Sequence, residues 1–492
     1  MMQHLPALQV VLPLLGAVFC AFMPRGAWAG AIALAVSWIM PVISGLLLAQ
    51  VLQTGVISYH VGGWPPPMGI EYRVDILSAF ILMLVSVMGA ILMPYARLSV
   101  AKEISARNQP YFYCMYLLCM TGLLGITITG DAFNVFVFLE VSSLSTYVLI
   151  ALGRDRRGLL AAYQYLVIGS IGATLYVIGI GLLYSITGTL NLVDIASKLQ
   201  TIGATAPVLI ALGFLITGIS LKLALFPLHV WLPNAYTYAP SVATIFLAGT
   251  ATKVAVYLLL RIIFTVYGVG TTSDGTPLSD IFIVLSVLAM FGASIVACFQ
   301  DNVKRMLAYS SVAQIGYITL GIAILNKTGL TGGISHLFNH AIMKAALFMV
   351  IGGIFYRIGS ANIANLAGIG RRMPLTMAAF VVAGLSIIGA PGTAGFISKW
   401  YLVSGAMEKG WWWLGLLIVA SSVLSVVYIG RVVEAAYFQT PNGEAEKATD
   451  MPASMLLPTL VLAAACIWFG FDTRLTADIA AQAASYLLGG AQ

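Results

Sequence analysis

Long apolar segments recur along almost the whole chain, and they constrain its fold more than any other feature. Each is long enough to cross a hydrocarbon core about 30 Å thick as a helix. Only 8% of the 492 residues are charged, whereas a soluble domain carries about 25%, so most of the chain must face lipid or other helices. The sequence therefore predicts an all-α polytopic membrane protein with about 14 transmembrane helices. The predicted spans are 5–23, 31–51, 75–96, 111–129, 132–152, 159–184, 206–226, 241–266, 280–299, 305–325, 331–356, 374–402, 411–438 and 453–471.

Basic residues are divided unevenly between the two sets of loops that these spans create. Fourteen fall on one side and six on the other side or at its span edges, with four more inside the spans. Because cytoplasmic loops are enriched in Lys and Arg, the bias predicts that both termini lie on the outer (periplasmic) side of a bacterial inner membrane. The inner group is Arg25, Arg97, Lys102, Arg107, Arg154, Arg156, Arg157, Lys304, Arg305, Arg357, Arg371, Arg372, Arg431 and Lys447, and the outer group is Arg73, Lys198, Arg261, Lys327, Lys409 and Arg474.

Composition and motif content argue against several other classes of protein. The five cysteines show no metal-ligand spacing and are expected to be small packing residues. The basic residues are dispersed, so the net charge of +7 does not indicate nucleic-acid binding. No nucleophile–base constellation, phosphate loop or cofactor motif is present, so no enzyme activity, cofactor or metal is predicted. The first apolar segment has no Lys or Arg before it, so it is expected to be a span and not a signal peptide.

Five charged residues lie inside the predicted spans. They are Glu140, Lys222, Lys253, Lys344 and Lys399. A charge at bilayer depth costs at least ~2.5–3.5 kcal/mol and usually marks an ion path or a proton relay. Desolvation favours the neutral amine of a buried lysine, so lysine can exchange a proton near neutral pH, which arginine cannot do. The five charges predict a buried proton path. The alternatives are a static ion pair at Glu140 and snorkelling of the lysines to an interface.

Two histidines precede one of these lysines at helical spacing. His336, His340 and Lys344 follow one another at i, i+4 and i+8, so one face of a helix carries all three. Histidine titrates near neutral pH and can pass a proton between its two ring nitrogens. The stripe is therefore predicted to be part of a relay, with hydrogen-bonded packing as the alternative. Zinc binding is disfavoured because no third ligand type lies nearby.

Two spans carry helix-breaking residues close to a buried lysine. The seventh has Pro227 after Lys222, and the twelfth has Gly389-Ala390-Pro391-Gly392 before Lys399. Non-helical backbone at membrane depth is tolerated where it is buried in protein or lines a cavity, although Pro and Gly are also common in ordinary membrane helices. Because the breaks lie five spans apart, spans 4–8 and 9–13 are predicted to be two repeats. The predicted units are residues 1–110, 111–266, 279–438 and 439–492.

Four stretches of sequence carry a more specific pattern. They are Phe138-Leu139-Glu140, Lys222 with Phe226-Pro227-Leu228-His229-Val230-Trp231-Leu232-Pro233, Lys304-Arg305-Met306-Leu307-Ala308-Tyr309-Ser310-Ser311, and residues 336–344. The pattern resembles the antiporter-like subunit family of respiratory complex I, membrane-bound hydrogenases and Mrp multisubunit sodium/proton antiporters. The resemblance implies two inverted five-helix repeats with broken helices 7 and 12. It also implies a hydrophilic axis in which Glu140 and Lys222 form one half-channel pair, Lys253 and the histidines bridge, and Lys399 serves the second half-channel.

Details of these motifs favour one branch of the family. Tyr236 and Tyr238 lie in the stretch that follows Trp231-Leu232-Pro233, where complex I members usually carry His and Glu. Lys399 stands where one complex I subunit has Glu, and the loop Gly62-Gly63-Trp64-Pro65 is also similar to D-type subunits. The sequence therefore resembles the D-type subunits of Mrp antiporters most. A proton-pumping subunit of a redox-driven complex, such as NADH dehydrogenase or a membrane-bound hydrogenase, is the alternative.

The predicted function is that of a secondary transporter subunit in the lipid bilayer. It would move protons along the buried row in exchange for Na⁺ or K⁺, in support of pH homeostasis, beside subunits similar to Mrp A and C. His229, Asp75 and Glu434 are predicted accessory positions. A passive scaffold, whose buried charges only dock neighbouring subunits, is the competing class of function.

Overall fold

The computed structural model of the chain describes residues 2–273, 276–441 and 443–489, and most of them are helical. The α-helices of the first half are α1 (Leu5–Ala21), α2 (Gly26–Thr54), α3 (Ile76–Glu103), α4 (Gln109–Ile128), α5 (Ala132–Ala151), α6 (Arg157–Thr187), α7 (Leu192–Ile202), α8 (Ala206–Leu223), α9 (Trp231–Tyr238), α10 (Ser241–Gly249), α11 (Ala251–Leu260) and α12 (Gly268–Ser273). Those of the second half are α13 (Leu278–Leu288), α14 (Ser294–Cys298), α15 (Val303–Ala323), α16 (Lys327–Ile358), α17 (Ile369–Arg372), α18 (Pro374–Ile388), α19 (Ala394–Glu408), α20 (Trp412–Phe438), α21 (Ala453–Phe471) and α22 (Ile479–Leu488). Two strands are β1 (Ile57–His60) and β2 (Glu71–Val74), and π-helical segments span Arg261–Val266, Ala289–Ala293 and Arg474–Asp478.

Helices of membrane-spanning length dominate the structure. Among the described residues, twelve helical runs are long and apolar enough to cross a membrane, and Leu5–Ala21 and Pro374–Ile388 are shorter apolar helices. The prediction of an all-α, multi-pass membrane protein is confirmed. The two shorter helices have 17 and 15 residues, below the about 20 that a simple span needs. The number of 14 crossings therefore stays a prediction.

Both predicted helix breaks are present. In the seventh predicted span, α8 ends before Ala224, which has a left-handed φ of 61°, and helix resumes at α9. In the twelfth, α18 ends at Gly389 (φ 89°) and α19 begins after Gly392 (φ 79°). A third interruption, at Thr250 between α10 and α11, was not predicted. Threonine is not a helix breaker of the proline or glycine kind, so the sequence gives little sign of this interruption.

The same backbone arrangement occurs at the start of α5 and at the start of α15. Asp131, the N-cap of α5, forms an isolated antiparallel bridge with Asn191, and Asn302, the N-cap of α15, forms one with Asn362. Backbone hydrogen bonds of 2.8 Å flank both bridges. The two helices are the fifth and tenth predicted spans, so equivalent bridges are what two copies of one repeat would produce.

A short β-hairpin, like the interruption at Thr250, was not predicted from the sequence. Strands β1 and β2 pair in antiparallel register, with His60 opposite Glu71. The Glu71 carboxylate is buried and accepts hydrogen bonds from Ser58 Oγ at 2.5 Å and from Asn191 Nδ2 at 2.9 Å. The hairpin is therefore tied to the loop between α6 and α7. Strands of only four residues between two long apolar segments leave little periodicity to detect.

Helix α16 lies at the centre of the bundle. Every residue from 329 to 354 is buried, including His336, His340 and Lys344. The helix packs against α10, α15, α18, α19 and α21. By contrast, α2, α6 and α20 expose many large apolar side chains, as expected of helices that face lipid. The polar stripe thus lies on a helix that is buried on all sides over most of its length.

A buried ion pair joins the start of α3 to the end of α11. Arg261, which the sequence analysis assigned to an outer span edge, is only 6% exposed, and its guanidinium bonds to the Asp75 carboxylate. It also donates to Ser78 Oγ at 2.8 Å and to the Tyr257 hydroxyl at 3.0 Å. Lys304, which was assigned to an inner loop, is likewise buried, in the first turn of α15. Neither burial was predicted, because apolarity alone does not reveal which span ends are covered by neighbouring helices.

Replacing Asp75 by Asn should destabilise the fold, because the Arg261 guanidinium would stay buried without its counter-charge. We expect a loss of about 3–5 kcal/mol in the free energy of unfolding. Asp75→Asn/Arg261→Met should recover most of that loss, because no unpaired charge remains. Thermal unfolding of the purified chain in detergent measures both. Unchanged stability in Asp75→Asn would show that the ion pair does not hold these helices together.

Candidate functional site

Glu140 and Lys222 face each other across two helices. Glu140 lies in the middle of α5 with its side chain 29% exposed, and Lys222 lies in the last turn of α8 with its side chain 7% exposed. The Lys222 Nζ is 3.9 Å from Glu140 Oε1, and it donates a hydrogen bond of 2.6 Å to Ser143 Oγ. Ser143 lies three residues after Glu140, on the same face of α5. The Lys222 amine therefore contacts both the Glu140 carboxylate and the Ser143 hydroxyl, and it is closer to the uncharged hydroxyl.

The break in the seventh span determines where Lys222 lies. Helix α8 cannot continue past Ala224, so Lys222 is left at a helix C-terminus, whose partial negative charge favours an ammonium group. Trp231 Nε1 donates to the Leu221 carbonyl oxygen at 2.9 Å and so satisfies one of the last carbonyls of the helix. The Trp231 indole also stacks on Tyr165, with ring centroids 3.8 Å apart. These two contacts of Trp231 stabilise the non-helical backbone between α8 and α9.

A small cavity lies between Lys222 and α11, the helix that carries Lys253. Its volume is about 30 Å³. The lining includes Lys222, Ser142, Ser143 and Thr146 on one side and Ala251, Val254 and Ala255 of α11 on the other. A cavity with polar partners and this volume has room for about one water molecule. The cavity can therefore hold about one water molecule next to Lys222, and its wall on α11 is apolar.

Lys253 lies just beyond the unpredicted interruption at Thr250. It is 1% exposed, and its Nζ donates to the Ala248 carbonyl oxygen at 2.6 Å. Thr250 has non-helical φ and ψ of −130° and −57°, so Ala248 lies in the disturbed turn. The described part of the chain places no carboxylate within 4 Å of the Lys253 amine. Its polar contacts are all neutral oxygens.

His336 is held on both sides of its ring. Its Nε2 lies 2.9 Å from Gln314 Oε1 of α15, and its Nδ1 lies 2.8 Å from Ser398 Oγ of α19. All three side chains are fully buried. Because Ser398 directly precedes Lys399, this contact connects the central histidine to the helix of the last lysine. His336 therefore has a fixed orientation.

His340 differs from His336 in how its ring nitrogens are bonded. Its ring is nearly parallel to that of His336, with centroids 6.1 Å apart. Neither of its nitrogens has a hydrogen-bond partner among the residues that the structure describes. Lys344, one turn further along α16, donates from its Nζ to the Leu307 carbonyl oxygen at 2.8 Å. His340 is thus a fully buried ring that lies between His336 and Lys344 on one helix face.

Lys399 has three oxygen acceptors and an aromatic ring. Its Nζ donates to the carbonyl oxygens of Ile387 and Ile388 at 2.9 and 3.0 Å and to Ser422 Oγ at 2.9 Å. The amine also lies 4.6 Å from the centre of the Tyr317 ring, which favours its cationic form. The two carbonyls are the last of α18, and the helix break leaves them without helical partners.

The three predicted accessory residues lie apart from this row. His229 stacks on Phe226 and meets Tyr309 edge to face, with centroids 5.2 and 6.3 Å away. Asp75 belongs to the ion pair with the α11 arginine. Glu434 is exposed on α20. In the described ranges, no hydrogen bond or ion pair joins any of the three to the seven residues of the row.

Several neutral side chains that support the row were not singled out from the sequence. They are Ser143, Gln314, Tyr317, Ser398 and Ser422. Gln314 offered the clearest signal, because an amide inside a long apolar segment needs a partner when it is buried. Serine gives almost no signal, since it is common in membrane helices and can bond to its own backbone.

A comparison with known protein families identifies the family of this chain. Residues 129–425, more than half of the chain, match the family described as NADH:quinone oxidoreductase/Mrp antiporter, TM. The chain belongs to this family. The matched range includes Glu140, Lys222, Lys253, Lys344 and Lys399, so all five charges of the row lie inside the family domain.

Similar proteins within the antiporter-like family come from both of its branches. The chain is 41% identical to NADH-quinone oxidoreductase subunit N of Desulforudis audaxviator, over 97% of this chain and 98% of that protein. It is 28% identical to the D-type subunit of the Na(+)/H(+) antiporter of Bacillus subtilis, over 99% and 98%. A chain of the Mrp complex from Dietzia sp. DQ12-45-1b has a TM-score of 0.90 at 25% identity, over 99% of this chain and 97% of that one. The chain is thus an antiporter-like subunit of the kind found in Mrp-type antiporters and complex I-type complexes.

Gly389→Ala and Gly392→Ala form a matched pair within the break before Lys399. Both glycines have positive φ, so each alanine should cost about 1–2 kcal/mol in the free energy of unfolding. A Cβ at position 389 would lie 3.0 Å from Lys399 Cδ, whereas one at 392 would have Phe471 as its nearest neighbour at 3.4 Å. Similar thermal stability is expected for both variants, with faster modification of Lys399 by an amine reagent, read by mass spectrometry, only in Gly389→Ala. Equal modification in both would mean that Gly389 does not set the lysine position.

Proposed function

We propose that this chain is the proton-translocating subunit of a multisubunit monovalent cation/proton antiporter. Protons would move along Glu140, Lys222, Lys253, His336, His340, Lys344 and Lys399. The observation that carries the proposal is the chemistry around the lysines. Of the four lysines of the row, only Lys222 has a carboxylate within 4 Å among the described residues, and the amines of the other three contact neutral oxygens.

Neutral surroundings make the protonation of a buried lysine easy to change. A carboxylate partner would fix the ammonium form, whereas carbonyl and hydroxyl oxygens stabilise it only partly against the cost of desolvation. Two unit charges about 10 Å apart interact by roughly 1.7 kcal/mol at an effective dielectric constant of 20. A repulsion of this size lowers the probability that the second site is protonated by more than about tenfold. A proton on one lysine of the row therefore disfavours a proton on the next, and the positions are coupled.

The first step would occur at the Glu140–Lys222 pair. Because Lys222 already bonds to Ser143, its amine can leave the carboxylate without losing every polar contact. Positive charge would then shift from Lys222 toward Lys253 on α11. His340, with two unpartnered ring nitrogens among the described residues, would pass the proton on, and Lys344 and Lys399 would receive it.

The two halves of the path correspond to two proposed repeats. Residues 111–266 would supply Glu140, Lys222 and Lys253, and residues 279–438 would supply the histidines, Lys344 and Lys399. Residues 1–110 and 439–492 would flank them. The equivalent bridges at α5 and α15, and the breaks before α9 and α19, support this division. Inverted repeats of this kind place ion sites at broken helices near the bilayer midplane.

An Mrp-type antiporter is the proposed setting. Tyr236 and Tyr238 support it, as does the likeness to the Mrp complex over nearly the full length of both chains. In that setting, subunits similar to Mrp A and C would flank this chain, and Na⁺ or K⁺ would move in exchange for protons. The excess of basic residues in one set of loops supports both termini lying outside a bacterial inner membrane.

A redox-driven proton pump is the second candidate, and one observation favours it. The chain is 41% identical to a NADH-quinone oxidoreductase subunit N, compared with 28% for the D-type antiporter subunit from Bacillus subtilis. In such a complex the same row would move protons, but electron transfer elsewhere in the assembly would drive them. The proton path is common to both candidates, and the source of energy separates them.

Glu140→Ala and Lys222→Ala should each abolish cation-dependent proton flux, because each removes one member of the first pair. Flux is measured in inverted membrane vesicles that contain the assembled complex, with no electron donor supplied. Lys198→Ala is the matched control, since Lys198 is a partly exposed lysine paired with Asp194 at 3.2 Å, outside the row. It should leave flux within about twofold of the unmodified complex, as exposed ion pairs contribute little.

The same experiment separates the competing functions. Na⁺- or K⁺-dependent flux that disappears in Lys222→Ala but not in Lys198→Ala supports the antiporter. Flux that starts only when NADH or reduced ferredoxin is added supports the redox-driven pump. Retained flux in Glu140→Ala contradicts the proposed path. Loss of assembly, seen on a native gel, instead of loss of flux, supports a scaffold whose charges dock its neighbours.

A further inference from the structure

A polar basin of about 540 Å³ lies where the ends of α3, α6, α9, α15 and α16 meet. Five basic side chains line it, namely Lys102, Arg154, Arg157, Lys304 and Arg305. Two acidic side chains, Glu103 and Asp155, also line it. None of these residues belongs to the buried proton row. The basin lies on the side that the loop charges assign to the cytoplasm.

Both acidic residues of the basin are already satisfied within the protein. Glu103 accepts hydrogen bonds from Ser99 Oγ at 2.7 Å and from the backbone N–H and the hydroxyl of Ser241 at 2.9 and 3.1 Å. Asp155 is paired with Arg157 at 2.7 Å, and the hydrogen bonds from Arg157 hold the pKa of the Asp155 carboxyl below its ordinary value. Asp155 is thus paired with Arg157, whereas the donors to Glu103 are neutral and leave its charge in place. Five basic and two acidic side chains give the basin an excess of three positive charges.

Four cations of the basin form no ion pair among the described residues, and the first of them, Lys102, donates to the Tyr356 carbonyl oxygen. Lys304 is only 5% exposed, and its Nζ contacts the Ser241 hydroxyl at 3.0 Å and the Phe355 ring at 4.8 Å. The Nε of Arg305 is buried and, within the described residues, has no acceptor. Arg154 forms no ion pair with any residue in the described ranges. A buried cation without an anion is costly, so the basin has the charge balance of an anion site that is open to one side.

An apolar surface continues from the rim of the basin. Helix α6 starts at Arg157, and Leu159, Leu160 and Tyr163 in its first two turns are 57%, 60% and 61% exposed. Val167, one turn further, is 40% exposed. Cationic groups at a membrane edge followed by an apolar stripe along a spanning helix match the two parts of a phospholipid. A soluble anion would use only the first part.

We propose that this basin binds the phosphate of an anionic phospholipid from the inner leaflet, with its acyl chains lying along the α6 stripe. Lys304, Arg305 and Arg154 would contact the phosphate oxygens as charge-assisted donors. A lipid is favoured over an acidic protein segment because the cations lie inside a confined basin that adjoins lipid-facing side chains. The site is separate from the proposed proton path, so its test does not depend on transport.

Binding of a lipid in the basin would stabilise the connection between α9 and α10. Ser241, the first residue of α10, contacts both Glu103 and Lys304. The basin wall also includes Tyr238, Ala239 and Pro240, which connect the two helices. A ligand that binds the folded state stabilises it by mass action. Bound lipid should therefore raise the unfolding temperature of the chain and restrict the connection between α9 and α10 to one conformation.

Arg154→Gln/Arg305→Gln tests the site in the full chain purified in detergent. Native mass spectrometry and thermal unfolding would measure binding of phosphatidylglycerol, phosphatidylcholine and inorganic phosphate. Phosphatidylglycerol should bind best, and the double variant should weaken it about 30-fold through the loss of two cationic contacts. Arg371→Gln/Arg372→Gln is the matched control, since these exposed arginines end α17 on the same predicted side, outside the basin. If the double variant fails to fold, Arg154→Gln alone, which changes an exposed loop residue, replaces it.

Each outcome has a defined meaning. The proposal is supported if phosphatidylglycerol binding is weakened in the basin variant and unchanged in the control variant. Equal weakening in both variants, or equal binding of phosphatidylcholine and phosphatidylglycerol, overturns it. Inorganic phosphate that binds as tightly as phosphatidylglycerol also overturns it, in favour of a soluble phosphate. Phosphatidylglycerol binding that is unchanged in the basin variant also overturns it.

Discussion

The structure depends on how a dry helical bundle supplies oxygen atoms to lysine amines that have no carboxylate partner. An intact helix uses its carbonyls internally and has few to offer. Lys399 takes the last two carbonyls of α18, and Lys253 takes a carbonyl from the disturbed turn at Thr250. Non-helical backbone at membrane depth is costly unless it is buried or has such partners. At Lys253 and Lys399, the helix interruption supplies carbonyl oxygens that accept hydrogen bonds from the amine, and the amine supplies the donor that these carbonyls lack.

The row is chemically uneven from one end to the other. Glu140 is its one carboxylate, at the end formed by α5 and α8, and Lys399 at the other end has carbonyls, a hydroxyl and an aromatic ring. Between them, His336 is held by two hydrogen bonds whereas His340 has none among the described residues. In the proposed path, the fixed ring of His336 would position its neighbours and the unpartnered ring of His340 would exchange the proton. This difference between adjacent turns of one helix could not be read from the spacing of the histidines.

The membrane fold, the two broken helices and the burial of the four lysines were predictable, because each depends on residues that are neighbours in sequence. What could not be predicted depends on contacts between distant segments. Arg261 and Lys304 are buried because other helices cover them, and Ser143 and Ser398 matter because of what faces them. Hydropathy averages a segment and carries no information on which helix ends are covered. The interruption at Thr250 and the β-hairpin were missed because both are shorter than the windows on which such reasoning relies.

The contacts of Trp231 have a consequence for how fast such a protein can work. The indole is held by a stack on Tyr165 and by a hydrogen bond to the Leu221 carbonyl, so the two pieces of the seventh span are clamped to each other and to α6. In the proposed path, Lys222 would change partner by rotating its own side chain while its backbone stays in place. Side-chain rotations take picoseconds to nanoseconds when unhindered, whereas collective helix and domain motions take microseconds to milliseconds. A carrier that worked along the proposed path would therefore need no rocking of its two halves.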